Sequence, residues 1–309
     1  MLDKLFYQEK GLFLQSLHPL PALAYLGTLL VLALVFNHPL YLAGLLLVIG
    51  LTIWAAEGLE TWESYLKIGL AMMALVMIIN PLMIRAGKTI IWYGPNVPVF
   101  GRLTISLEAL YYGIAMSVRL LDIISIFCLY NLIVHPDKVL NLLSRFAGKS
   151  VLVISIATRM FPIMARELEN IRCVQQMRGV DFNKRSLKEK VKKCSSLINI
   201  LVLSSLENSL EIAEAMQARA FGSGPRSCYR RSLWRPRDAL CLSVSAGALG
   251  AGIWGLLHGF GAYAYYPQLD YLLGGTGTVA VLFIVLFNLS VPAILNWGWQ
   301  HCPYLRSKI

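Results

Sequence analysis

Two arginines are the residues of this sequence best placed to act on another molecule. Arg178 stands in Gln176-Met177-Arg178-Gly179-Val180-Asp181-Phe182, and Arg219 in Glu214-Ala215-Met216-Gln217-Ala218-Arg219-Ala220-Phe221-Gly222. Both stretches run the same way: a glutamine, a small or thin side chain, the arginine, a small residue, and glycine at or shortly after it. Glycine past the last turn is the usual helix stop, because it enters the left-handed conformation at little cost. An arginine in the last turn complements the negative end of the helix dipole. Placed there, a guanidinium offers a planar fork to carboxylates or to helix-end carbonyls of a partner. This is recognition chemistry rather than catalysis. One such tip is an ordinary surface helix end. Two of them, about forty residues apart, read as a pair of docking elements. They consist of Met177, Arg178 and Gly179 in the first and Ala218, Arg219 and Ala220 in the second.

The other charged pair lies in an apolar setting. Arg119 and Asp122 are three residues apart, hence on one helical face. Charges at membrane depth are costly and usually pair inside the protein. The spacing therefore predicts an intramembrane polar pair, read first as an ion pair that neutralises itself and second as a contact that shifts during transport.

Enzyme chemistry finds no support. There is no G-x-x-x-x-G-K-[ST] phosphate loop, no H-E-x-x-H and no G-x-S-x-G. Gly274-Gly275-Thr276-Gly277 is too short for a dinucleotide fingerprint and reads as a loop. The six cysteines form no C-x-x-C pair and the five histidines no i,i+4 pair, so neither a metal site nor a disulfide framework is expected. No cofactor is expected either.

The elements that must carry these residues are membrane helices. The chain is 57% hydrophobic and 15% charged over 309 residues, where a soluble domain carries about 25% charge. Apolar runs close to the ~20 residues of a membrane span occur at about Leu20–Phe36, Leu40–Ala56, Leu66–Ile84, Leu107–Val134, Ala239–Phe260 and Val279–Leu295. Only Asn37-His38-Pro39 separates the first two, a tight helical hairpin. Arg85–Thr104, with Gly94-Pro95-Asn96 and Pro98, reads as an extended loop or hairpin. Ser243, Gly247, Ala251, Gly255 and Gly259 form a small-residue stripe that lets another helix approach closely.

Between His135 and Arg237 the character changes. This stretch holds about two thirds of the chain's 28 lysines and arginines. Its apolar segments are short: Val151–Met164, about 14 residues with Arg159 and a bend at Pro162, suits a buried or interfacial helix better than a span, and Leu197–Leu206 is shorter still. It reads as a cytoplasmic helical domain leaning on the membrane, with one long helix from Met164 to Gly179 and another from Ser204 to Gly222. In the second, Leu206, Leu210, Ala213 and Met216 share an apolar face, and Glu207, Glu211 and Glu214 an acidic one. The organisation expected is a membrane domain of about four spans over 1–134, a cytoplasmic domain over 135–237, and two membrane spans over 238–309. The net charge of +11 then reports topology, since basic residues gather in cytoplasmic loops, and nucleic-acid binding is not expected. Asp3, Glu9 and Lys10 precede the first apolar run without a cleavage site after it, which argues against a cleaved signal peptide.

The two arginine-ended segments resemble the coupling-helix signatures of the energy-coupling-factor (ECF) T-component family, which includes the cobalt-transport permease CbiQ. Leu17-His18-Pro19 with its following hairpin, the Pro136-Asp137 helix start and the Trp234-Arg235-Pro236-Arg237-Asp238 entry to a late span extend the resemblance over most of the chain. Met177 stands where that family has alanine in its first Ala-Arg-Gly-like motif, and Ala220 where it has glycine in its second. His18 stands where an Asp commonly precedes the proline, and the last span is additional to the usual five or so. The resemblance implies an all-α polytopic membrane bundle with a cytoplasmic pair of long coupling helices, in the cell membrane of a prokaryote. It implies a non-enzymatic subunit of an ABC-type importer for a vitamin or metal ion. The partners implied are two ABC ATPase subunits and a membrane-embedded substrate-binding S component.

Other readings predict different features. The permease of a conventional ABC importer offers one docking loop per chain rather than two. A membrane-embedded enzyme, such as a lipid or prenyl transferase, needs an acidic cluster for Mg²⁺ and phosphate, and the aspartates here are isolated. A free-standing channel or secondary transporter is marked by broken spans and midplane charges, of which only Arg119 with Asp122 qualifies.

Overall fold

A computed structural model describes residues 13–83, 89–97, 101–135, 138–139, 142, 148–180, 187–224, 234–266, 269–270 and 275–301. The Pro136-Asp137 helix start, Asp181-Phe182, Gly274, Pro98, Cys228, Cys302 and the N-terminal Asp3, Glu9 and Lys10 lie outside these residues. The chain is an all-α polytopic membrane protein with one small β-hairpin. It divides into two compact units, residues 1–139 with 232–309, and residues 140–231.

The first unit contains α1 (Phe13–Ser16), α2 (Pro19–Val35), α3 (Pro39–Ala55), α4 (Leu59–Met83), β1 (Ile90–Val97), β2 (Gly101–Ser106), α5 (Leu107–Ile133), α8 (Pro236–Leu257) and α9 (Thr276–His301). The second contains α6 (Gly148–Met177) and α7 (Leu187–Ala218). By length and composition, Leu59–Asn80, Leu107–Ile133, Pro236–Leu257 and Thr276–Trp299 are able to cross a membrane. The apolar helices α2 and α3 are shorter, at 17 residues each, about 25 Å at 1.5 Å per residue.

Helix starts follow from local chemistry. In α2 and α3 a His-Pro pair does the same work twice. Proline sits at the first helical turn, where its missing N–H costs nothing. The preceding histidine turns Nδ1 onto a free amide: His18 accepts from Leu20 at 3.2 Å and His38 from Leu40 at 3.3 Å. At α8, Pro236 follows the same rule, and Asp238 accepts from the Arg235 amide at 2.8 Å. The same carboxylate accepts from the His18 amide at 3.0 Å, so one aspartate ties the starts of α2 and α8 together. Ser106 caps α5 by accepting from Ala109 at 3.3 Å. The stretch read as an extended loop or hairpin is an antiparallel pair, β1 with β2.

The core of this unit is built by α2, α3, α5, α8 and α9 around Leu29, Leu32, Phe36, Leu45, Ile49, Leu129 and Leu289, all buried. The glycines of α8 serve that packing. A Cβ at Gly252 would stand 2.5 Å from Leu32 of α2, and one at Gly255 would stand 2.7 Å from Val281 of α9. The last helix, which the sequence marks only as additional, is central. Leu289 and Val285 are buried, and the Tyr25 hydroxyl of α2 donates to the Leu289 carbonyl at 3.0 Å. Asn296 donates to the Ala55 carbonyl at 2.6 Å and accepts from the Leu14 amide at 3.4 Å. In contrast, α4 packs chiefly on α5 and leaves Ile68, Leu70, Leu75 and Ile78 exposed.

In the second unit, α6 and α7 are longer than the sequence suggests, at 30 and 32 residues. Expected starts at Met164 and Ser204 become Gly148 and Leu187. Pro162 lies inside α6 rather than breaking it; proline removes one N–H from the ladder but leaves the remaining turns intact. The apolar face of α7 is largely exposed. Leu206 and Leu210 are exposed, Leu210 to 64%, while Ser204, Asn208, Ile212 and Met216 are half-buried.

Candidate functional site

The two arginine segments end their helices by one shared hydrogen-bond pattern. At the end of α6, Arg178 N–H donates to the Val174 carbonyl, Gly179 N–H to Gln176 and Val180 N–H to Gln175. At the end of α7, Arg219 N–H donates to Ala215, Ala220 N–H to Gln217 and Phe221 N–H to Met216. Each tip therefore makes one four-back, one three-back and one five-back bond in succession. The last two together are the Schellman stop, which requires a left-handed residue after the helix. Gly179 supplies it at φ +85° and Ala220 at φ +55°. Ala220 thus takes the conformation of the glycine it replaces, and Gly222 follows at φ +93°.

This geometry aims the arginines outward. Arg178, Gly179, Ala218, Arg219 and Ala220 are all exposed, and Met177 is 86% exposed. The two guanidinium forks stand at the carbonyl-rich ends of their helices, where the dipole favours a cation and where each can reach a partner. The structure gives the six expected docking residues two equivalent settings, three to each.

Arg119 and Asp122 are near enough to interact electrostatically, but Arg119 directs its hydrogen bonds elsewhere. Arg119 Nη2 donates to the Phe36 carbonyl and to Asn37 Oδ1, each at 2.7 Å, and Nη1 lies 3.5 Å from Met116 Sδ. The guanidinium completes the C-terminal end of α2 and fastens the turn into α3. Tyr265 adds a bond from its hydroxyl to the Asn37 carbonyl at 2.7 Å. Asp122 is fully buried, and neither carboxylate oxygen has a hydrogen-bond partner among the described residues. No hydrogen bond joins the two side chains among the described residues; Arg119 Nη2 is taken by a backbone carbonyl and a side-chain amide at the end of α2. The i,i+3 spacing placed both residues on one face but held no information about that turn.

Sequence reasoning missed two features here. One is His38, whose Nδ1 caps α3 and whose ring packs edge-on against Tyr41 and Tyr263. The repeated His-Pro-Leu of Leu17–Leu20 and Asn37–Leu40 was the available signal. The other is the pairing of α9 with α1 and α3 through Asn296, for which a lone asparagine in an apolar run was the only signal.

Comparison with known proteins gives a consistent picture. The family model for the cobalt transport protein CbiQ matches residues 13–228, a stretch that runs from α1 through both arginine tips. The energy-coupling factor transporter transmembrane protein EcfT of Exiguobacterium sibiricum is 33% identical over 163 residues, covering 48% of this chain and 62% of that protein. EcfT of Bacillus subtilis is 26% identical over 211 residues, covering 60% of this chain and 80% of that one. EcfT of Macrococcus caseolyticus is 25% identical over 259 residues, covering 78% and 94%.

Proposed function

This chain belongs to the CbiQ family of cobalt transport proteins, and on that premise we propose that it is the transmembrane coupling (T) subunit of an ECF-type ABC importer. The observation that carries the reading is the duplicated tip: two helix ends with one hydrogen-bond pattern, each presenting an exposed arginine. A pair of like ATPase subunits has two like grooves, and two like tips suit them. Each fork makes charge-assisted hydrogen bonds to carboxylates or helix-end carbonyls there. Closure of the ATPases on ATP moves the tips, and α6 and α7 act as levers on a membrane-embedded S component that carries the vitamin or metal ion.

The exposed side chains of the levers fit this role. Val153 and Phe161 on α6, and Leu203 and Leu210 on α7, are apolar and exposed. Such surface belongs against lipid or a partner. The chain's own part is mechanical and non-catalytic. Both termini and residues 135–237 lie on the cytoplasmic side, following the lysine and arginine distribution. The functional division is a membrane domain over 1–134, a coupling domain over 135–237 and closing spans over 238–309.

Purification of the tagged chain in mild detergent, with mass spectrometry of what accompanies it, tests the reading. The expected companions are two ABC ATPase chains, or two copies of one, and a small membrane protein. A conventional permease partner with a soluble substrate-binding protein, or no ATPase at all, would sink it. Stoichiometric ATP binding by the purified, partner-free chain would equally overturn the non-catalytic role.

A further inference from the structure

Glu167 of α6 and Ser204 of α7 meet where the two helices pack. The Ser204 hydroxyl donates to Glu167 Oε1. Glu167 Oε2 is shielded from solvent and has no hydrogen-bond partner among the described residues. Both residues are half-buried, in a mixed setting: Met160, Met164 and Ile171 are half-buried on α6, and Leu201, Ser205, Asn208 and Ile212 on α7. A carboxyl group with an oxygen cut off from water depends heavily on its one donor. Sliding either helix by a turn leaves Glu167 with neither water nor serine, and an unsatisfied buried polar group is costly. A specific polar contact between packed helices is a well-attested device for fixing register.

We propose that Glu167 and Ser204 are positioning residues that pin the register of α6 against α7, and with it the separation of the Arg178 and Arg219 tips. The helix counts set the leverage. Met177 lies ten residues beyond Glu167, and Ala218 lies fourteen beyond Ser204, giving arms of about 15 Å and 21 Å at 1.5 Å per residue. A change of about 10° at the pin moves the tips by roughly 3–4 Å on arms of that length. Loss of the pin therefore blurs the geometry that two rigid ATPase grooves must match. The functional consequence rests on the lever reading above, whereas the pin itself does not.

The test uses the full-length chain in lipid nanodiscs, with its native cysteines replaced by serine and spin labels at positions 176 and 217. Pulsed electron resonance reads the distance between the tips. The parent is expected to give one narrow distance. Glu167→Ala and Ser204→Ala should each broaden or shift it by about one helical turn, ~5 Å. The double alanine variant should do no more than either single change, since both remove the same bond. Glu167→Gln keeps an Oε1 acceptor and should retain the parent distance, which separates the hydrogen bond from a general packing effect. Parent-like distances in both single alanine variants would overturn the pin, as would additive single effects or a glutamine variant as broad as the alanine one. Substrate uptake in cells separates the two ideas. Broadened distances with uptake unchanged support the pin and overturn the lever reading; broadened distances with reduced uptake support both.

Discussion

Gly179 and Ala220 hold the same position in two copies of one hydrogen-bond pattern, and both have positive φ, +85° and +55°. For glycine that conformation is nearly free, and for alanine it costs about 1 kcal/mol or somewhat more. Ala220→Gly should therefore stabilise the end of α7 by about 1 kcal/mol, and Gly179→Ala should destabilise the end of α6 by a similar amount. Nothing lies within 4 Å of a Cβ at Gly179, so the second effect is conformational rather than steric. Hydrogen exchange of the last-turn amides, Arg178–Val180 and Arg219–Phe221, reads each end separately. Unchanged exchange at Phe221 in Ala220→Gly would show that Ala220 is not left-handed in solution.

The fold was legible where local chemistry decides it. Asn37-His38-Pro39 marked the break between α2 and α3, turn residues marked the β-hairpin, and the glycines marked both tips. It was not legible where distant residues decide. Pro162 lies in an apolar segment that reads as only a short bent helix, yet α6 runs 30 residues through it. Arg119 looks like a partner for Asp122, but its bonds go to Phe36 and Asn37, more than eighty positions upstream. The Leu206–Leu210 face of α7 is apolar in sequence, and both leucines are exposed. Amphipathicity reports which face is apolar and is silent on whether lipid, a partner or the chain's own core covers it.

The last helix yields a stability prediction. Asn296 is fully buried and connects the Leu14 amide to the Ala55 carbonyl. Asn296→Leu removes both bonds and leaves both backbone groups unpaired, each at about 1–3 kcal/mol. A clear fall in the thermal midpoint of the detergent-solubilised protein is expected, read by size exclusion after heating. Phe287→Leu in the same helix is the control, because Phe287 is 71% exposed and should leave the midpoint unchanged. Equal midpoints for the two variants would mean that α9 is not held through Asn296.

The topology is testable independently of any partner. Single cysteines on a Cys-free background, labelled from outside intact cells with a membrane-impermeant reagent, should react between residues 85 and 104 and not at position 190. The expectation follows from the concentration of basic residues in 135–237. Strong external labelling at position 190 would place both arginine tips outside, away from any ATPase.

Arg178 and Arg219 carry the most direct functional prediction. Each exposed fork makes charge-assisted hydrogen bonds to its partner, worth about 1.5–3 kcal/mol each. Arg178→Ala and Arg219→Ala should each weaken ATPase copurification and lower substrate uptake. The double variant should lose far more than either single one. Once one tip is docked, the second binds at a high effective concentration, so a single loss is partly masked and a double loss is not. Folding should be unaffected, because neither side chain is buried and the Schellman bonds involve only backbone atoms. Membrane expression is therefore the control. If the arginines served only their own helix dipoles, the loss would be about 0.3–1 kcal/mol of helix-end stability, with no change in partner retention. A double variant that expresses normally, keeps its ATPases and transports at the parent rate would remove both arginines from the docking site.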